Sequence, residues 1–328
     1  VVTNHDLVDV YGMDTSDEWI VRRTGVSERR FAEPGVATSD LAVEAARQAV
    51  EAAGIALRDL DLIVASTLSP DKAFPGIGVY VQRGLGLPDE EANRFTPAID
   101  VRAQCSGFLY GLSHAKAVLE AGMARHVLVV GAEVHSAALD LTTRGRTVAS
   151  LFGDGAGAVV VAADPDPDVG IRTLLLRADG RYADELSQPV WNMADRPFIP
   201  LDDEGYGRIP PEQLYAQMNG QLVFKHAVIR MSEVLHEVVA AEGLTFADVD
   251  LFCFHQANKR INQFLANQLD LPADRVVSNI ERYGNTTAAT IPLLLDEAVR
   301  SGRLTPGMTV ALVAFGSGFT WGGAIVRW

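Results

Sequence analysis

The chain has 328 residues, 48% of them hydrophobic, which is enough to bury one large core or two closely joined ones. Its formal net charge of −14, with no Lys/Arg stripe, argues against a nucleic-acid-binding surface. No apolar run reaches the length of a membrane span or has the build of a secretory signal, so a soluble, cytoplasmic protein without a membrane partner is expected.

Taken in chain order, residues 39–67 predict a helix, the linker EAAGIALRDLDL and an apolar strand ending near Ser66. RAQCSGFLYGL at 102–112 then sets Cys105 at the start of a Gly- and Ala-rich helix that stops at Gly122, and HVLVVGAE reads as a buried strand. ADPDPDVG at 163–170 is rich in Pro and Asp and reads as a hinge, which divides the chain into halves 1–163 and 164–328. Residues 179–218 carry Tyr182, Trp191, Phe198, Tyr206 and Tyr215 together with Pro189, Pro197, Pro200, Pro210 and Pro211. So long an irregular stretch predicts a lid or pocket wall.

Beyond it the first plan repeats. Residues 219–256 give a helix, AAEGLTFADVDL and the strand FCFHQ; Asn285 precedes a helix stopping at Gly302; TVALVAFGSG supplies another buried strand. Counted from Asp61 and Asp250, Ser66 and His255 are matching strand ends. The equal intervals from Cys105 to Gly122 and from Asn285 to Gly302 make these two residues equivalent helix starts. The prediction is an α/β fold of two halves related by a pseudo-two-fold axis, each a mostly parallel sheet covered on both faces, which gathers Cys105, Asn285 and His255.

Those residue types suit covalent chemistry. A thiol at a helix N-terminus is expected to have a lowered pKa, and Ser106 and Gly107 let a substrate carbonyl approach the backbone. Cys253, inside LFCF, reads as a small buried hydrophobe. No CxxC or Cys/His cluster has metal-ligand spacing, so no metal or disulfide framework is expected. Of the seven histidines, His5, His114, His126, His135, His226 and His236 have no companion motif, whereas His255 closes an apolar strand and enters the polar turn HQAN. Asn285 also suits a helix cap. A Cys–His–Asn set equally fits a papain-like thioester hydrolase, in which Asn orients His and the thiol forms an ion pair with it. A third reading is a binding scaffold without catalysis.

With TSDEWIVRRTGV at 15–26, CSGF, FGDGAGAVV at 152–160 and the C-terminal FGSGFTWGGAIVRW, the chain resembles the thiolase-fold condensing enzymes, and closely the β-ketoacyl-acyl carrier protein synthase III type, over nearly its whole length. The resemblance implies a thiolase-like, layered αβαβα fold and an acyltransferase. Cys105 would take an acyl group from a CoA thioester, and decarboxylative Claisen condensation with malonyl-acyl carrier protein would follow, in fatty-acid initiation or a specialised polyketide pathway. His255 and Asn285 would donate to the malonyl thioester oxygen. The amides of Cys105 and Ser317 would form the oxyanion hole, with Ser317 where many relatives carry Gly.

The same resemblance implies Trp19 and Arg144 as the adenine sandwich, Arg23 at the nucleotide phosphates and Asn258 in the pantetheine channel. Lys259 and Arg260 would meet the carrier protein. Phe152 would line the acyl pocket, and Phe74 would close the partner's pocket across a homodimer. CoA thioester is substrate; no permanently bound cofactor is implied. Same-fold relatives that transfer an acyl group to oxygen or nitrogen, form pyrones or quinolones, or join two long chains are the alternatives. The long 179–218 segment points to a specialised acyl group. The chain opens at VVTNHDL, so the family's first strand is expected to precede Val1.

Overall fold

The structure is a computed structural model that describes residues 1–328 apart from 88, 92, 191, 195–198, 200–206 and 208. Trp191, Phe198, Tyr206, Pro197 and Pro200 of the expected lid lie outside the described residues. In chain order the main elements are α1 (Asp17–Thr24), α2 (Thr38–Ala52), β1 (Leu62–Ser66), α3 (Ile77–Leu85), β2 (Ala98–Val101), α4 (Gly107–Glu120), β3 (His126–Glu133) and β4 (Gly155–Ala162). After them come β5 (Gly170–Ala178), α5 (Gly220–Ala241), β6 (Leu251–Phe254), α6 (Lys259–Gln268), β7 (Val276–Val277), α7 (Thr290–Arg300), β8 (Thr309–Gly316) and β9 (Thr320–Arg327).

Two main sheets result, in the orders β2-β1-β3-β4 and β7-β6-β8-β9-β5. β1 runs parallel to β2 and β3, and β6 parallel to β7 and β8; the remaining pairings are antiparallel. Each strand's apolar residues divide by alternation between two cores. Leu62, Val64, Val127, Val129, Leu251, Cys253, Val310 and Leu312 face inward onto Leu109 and Leu112 of α4 and Leu294 and Leu295 of α7. Ile63, Ala65, Leu128 and Val130 face outward under Ala42, Ala46 and Val50 of α2. Phe252, Phe254 and Val313 do so under Val234, Leu235 and Val238 of α5.

The layers are therefore α, β, α, β, α, and each fully buried Leu or Val contributes roughly 1.5–3 kcal/mol to holding them together. Cys253 belongs to the inner core, as its apolar strand predicts. No helix of the described residues is long and apolar enough to cross a membrane.

The repeat is real but shifted at one place. α4 follows a 3-10 turn at Gln104–Ser106 and α7 follows one at Thr287–Ala289, so Cys105 corresponds in position to Ala288. Asn285 lies upstream of that turn and is not the equivalent helix start that the equal intervals predict. The intervals match only because α4 is longer than α7, 14 residues against 11. The first sheet also has four strands where the second has five, and no described strand pairs the outer edge of β4 as β5 pairs β9.

Candidate active site

The two central helices bring their leading turns together. Gly107 begins α4 against β1 so tightly that a Cβ there would fall 1.9 Å from Ser66 Oγ. A Cβ at Gly131 of β3 would fall 2.3 Å from the Ala288 carbonyl oxygen, which seats the second turn on the first sheet. At the end of β8, a Cβ on Gly316 would stand 2.7 Å from Cys105 Cβ. These glycines are required by close approach, and they pack the Cys105 turn against β8 and against the turn that follows Asn285.

Cys105 is buried, with its own backbone N–H and that of Ser317 directed at the sulfur. Ser317 turns its hydroxyl away, donating it to the Leu186 carbonyl, and the left-handed backbone angle of this turn falls on Gly318 at φ +132°. The replacement of Gly by Ser therefore leaves the amide donor in place.

The thiol itself differs from expectation. Burial pushes its pKa up to about 12, with the nearby Glu133 carboxylate acting in the same direction and outweighing the two amides. A preformed thiolate at the helix N-terminus is not what this site holds. Glu133 is fully buried and accepts from Thr67 Oγ1 at 3.0 Å, Ser69 Oγ at 2.6 Å and the N–H groups of Leu68 and Ser69. Burial raises its own pKa to about 7 against those four donors.

His255 directly follows β6 and donates its backbone N–H to the Val313 carbonyl at 2.8 Å. Its Nδ1 lies 2.7 Å from Thr290 Oγ1, and its buried Nε2 has no partner among the described residues. Burial drives its pKa down to about 3, so the ring is neutral at working pH. Asn285 is tied to Leu151 through its backbone N–H at 2.8 Å and bridges Phe152. Its Oδ1 accepts the Thr287 N–H at 2.8 Å, while Nδ2 has no protein partner among the described residues.

The hydrolase arrangement requires something else. Asn285 does not orient His255, the Nε2 makes no bond to the thiol, and neither group carries the charge of an ion pair. Among the described residues no cluster could hold a metal.

Sequence reasoning missed several neighbours. His135, set aside for want of a companion motif, is buried with Nε2 2.6 Å from Thr287 Oγ1 and its ring centroid 4.8 Å from that of Phe152. The contacts of Thr287 with His135, of Thr290 with His255 and of Glu133 with Cys105 join residues far apart in the chain and leave no local signature. The 179–218 segment does reach this neighbourhood: Tyr182 stacks on Phe319 at 5.2 Å, and Leu186 holds Ser317.

A cavity of about 660 Å³ is lined by Trp19, Arg23, Thr147, Phe224, Asn258 and Arg260, among others. α1 presents Trp19 there because Ser16 Oγ caps the helix by accepting the Trp19 N–H, and Gly25 ends it at φ +80°. Asn258 caps α6 through Oδ1 and ties it to the Arg23 carbonyl through Nδ2 at 3.0 Å. The arginines over the Trp19 ring are Arg23 at 4.7 Å and Arg146 at 5.3 Å. Arg144, the expected partner, is instead paired with Asp140 at 2.6 Å and lies over Tyr215 at 5.6 Å. RGR offers two guanidiniums, and the 3-10 turn at Thr143–Gly145 aims the second one at Trp19.

Lys259, expected to meet the carrier protein, pairs its ammonium with Glu281 at 2.6 Å and packs its stem over Gly25. Arg260 is exposed and has no ion pair among the described residues. Phe74 is 85% exposed, while Phe152 is buried beside Asn285.

Comparison with known proteins agrees with this architecture. Residues 99–180 match the 3-oxoacyl-[acyl-carrier-protein] synthase III family and residues 239–328 match its C-terminal family. The β-ketoacyl-[acyl-carrier-protein] synthase III of Rhizorhabdus wittichii is 46% identical over 96% of this chain and 92% of that protein. Among solved structures, the synthase III of Thermus thermophilus superposes with a TM-score of 0.87 at 41% identity, covering 100% of this chain and 95% of that one. The priming β-ketosynthase of the R1128 polyketide pathway gives 0.85 at 33%, covering 99% and 91%. The chain belongs to the 3-oxoacyl-[acyl-carrier-protein] synthase III family, acyltransferases of the thiolase fold that form carbon–carbon bonds.

Proposed function

We propose that the chain transfers an acyl group from acyl-CoA to Cys105 and condenses it with malonyl-acyl carrier protein. The observation that carries this reading is the pairing of two unpartnered polar groups, His255 Nε2 and Asn285 Nδ2, with a thiol that two backbone amides face. In the first half-reaction the Cys105 sulfur attacks the thioester carbonyl and the thiol proton leaves with the CoA sulfur. The N–H groups of Cys105 and Ser317 receive the oxyanion.

In the second half-reaction the malonyl thioester loses carbon dioxide, and His255 and Asn285 donate to the oxygen that becomes an enolate. The enolate carbon attacks the Cys105 thioester, and collapse of the tetrahedral adduct releases the β-ketoacyl product and the Cys105 thiolate, which takes a proton from water to restore the thiol. Donors fixed before charge develops stabilise the transition state more than the ground state.

The cavity beside Trp19 suits the CoA nucleotide, with Arg23 and Arg146 as cations against the aromatic ring and Asn258 along the pantetheine path. Arg260, which lines the same cavity as Arg23, supplies a local basic surface for the carrier protein, and its field weakens at physiological salt. A homodimer is supported by the exposed Phe74 and by the outer edge of β2, which no described strand pairs. Fatty-acid initiation is the primary role; the segment at 179–218 against the FGSGF turn supports a specialised acyl group.

Intact-protein mass spectrometry after incubation with a panel of acyl-CoAs tests the assignment. A single acyl adduct at Cys105 is expected, and Cys105→Ala should still release carbon dioxide from malonyl-carrier protein without forming a β-keto product. Unchanged condensation by Cys105→Ala would overturn it.

A further inference from the structure

Neutral His255 has one ring proton, and its usefulness as a donor depends on which nitrogen holds it. Donation from Nε2 requires Nδ1 to accept, and an acceptor buried in protein needs a donor facing it. Thr290 Oγ1, at the first residue of α7, stands 2.7 Å from Nδ1. The same hydroxyl has a second acceptor in the Thr287 carbonyl at 3.0 Å, and only one proton to give.

The two choices are unequal once a substrate is present. The Thr287 carbonyl already receives the backbone N–H of Thr290, so turning the hydroxyl to Nδ1 leaves no buried acceptor unpaired. Committing the hydroxyl to the carbonyl would force Nδ1 to keep the ring proton. Nε2 would then be a bare lone pair opposed to the oxygen it should stabilise. His255 and Thr290 are 1% and 2% exposed, so water does not substitute for this contact.

We propose that Thr290 is a positioning residue for condensation: its hydroxyl donates to Nδ1 of His255 and thereby holds the Nε2 proton toward the malonyl thioester oxygen. The proposal rests on the reading of His255 as a donor. Thr287 ties this support to that of the other donor. Its carbonyl meets Thr290, its N–H holds Asn285 Oδ1, and its hydroxyl meets His135. Thr287 itself has φ +50°, a conformation that costs a β-branched residue about 1–3 kcal/mol and that these bonds offset.

The test compares wild type with Thr290→Val and Thr290→Ser, using 15N-histidine-labelled protein with a non-decarboxylating malonyl thioester analogue bound. The His255 signal is identified by its loss in His255→Ala. Wild type and Thr290→Ser should show the proton on Nε2, and Thr290→Val should lose that preference. The condensation kcat of Thr290→Val should fall about 10- to 100-fold, less than the 10²–10³ of deleting an oxyanion donor, with KM for malonyl-carrier protein nearly unchanged. Thr290→Ser should recover most of it.

Acyl loading of Cys105 in Thr290→Val, read by intact mass, reports that the site is folded. A normal tautomer and kcat in Thr290→Val would overturn the proposal, as would an equal loss in Thr290→Ser, which would assign the effect to the methyl group. Failure of the underlying reading looks different: wild type would not load at Cys105, or Cys105→Ala would still condense.

Discussion

The Thr287 backbone N–H donates to Asn285 Oδ1 at 2.8 Å, which fixes which end of the Asn285 amide is left for substrate. With Oδ1 engaged, the Nδ2 end is the free donor. Asn285→Asp keeps the acceptor and replaces the donor by a second oxygen. Its condensation kcat should fall about 10²- to 10³-fold, as for other lost oxyanion donors, while Cys105 still loads from acyl-CoA. Coupled carbon dioxide release and intact-mass measurements on one preparation check both halves.

Reactivity of Cys105 should follow its burial. A thiol held at about 12 has a thiolate fraction that rises about tenfold per pH unit well below that value. Alkylation by iodoacetamide should therefore climb steadily from pH 7 to 9. A plateau near pH 7 would mean that the amides of Cys105 and Ser317 outweigh burial and Glu133.

His135 should make the protein acid-labile. Its folded pKa is depressed to about 3 by burial, against about 6.5 unfolded, so the unfolded chain binds the extra proton between those values. The stabilisation is full above pH 6.5 and is lost as pH falls toward 3. At pH 5 the loss is about 2 kcal/mol for this one group. Glu133, raised to about 7, acts in the opposite sense, losing stability as pH rises from 4.5 to 7, but it is common to wild type and variant. Denaturant midpoints at pH 7.5 and 5 should thus diverge less in His135→Leu than in wild type.

Arg146 and Arg144 should separate in acyl-CoA kinetics. On the proposed CoA site, Arg146→Ala and Trp19→Ala each remove one face offered to the adenine, a stacking or cation–aromatic contact worth about 0.5–1 kcal/mol, so KM for acyl-CoA should rise about two- to fivefold. Arg144→Ala should change KM less, because that side chain is committed to Asp140 and Tyr215.

Apolar strand runs and helix punctuation, read along the chain, were sufficient for an α/β fold of two similar halves and drew attention to Cys105, His255 and Asn285, because apolar runs, Gly stops and motif spacing are local properties. Tertiary structure alone decided the rest. Equal intervals paired Cys105 with Asn285, but helix lengths moved the true counterpart to Ala288. A helix N-terminus suggested a lowered thiol pKa, yet desolvation and Glu133, at the end of β3, reversed the sign. The Thr290 hydroxyl that meets His255, and the placement of Arg146 rather than Arg144 over the Trp19 ring, depend on contacts between distant segments or on the turn of a single loop. Burial and side-chain direction are properties of the packed chain, and spacing along the sequence does not encode them.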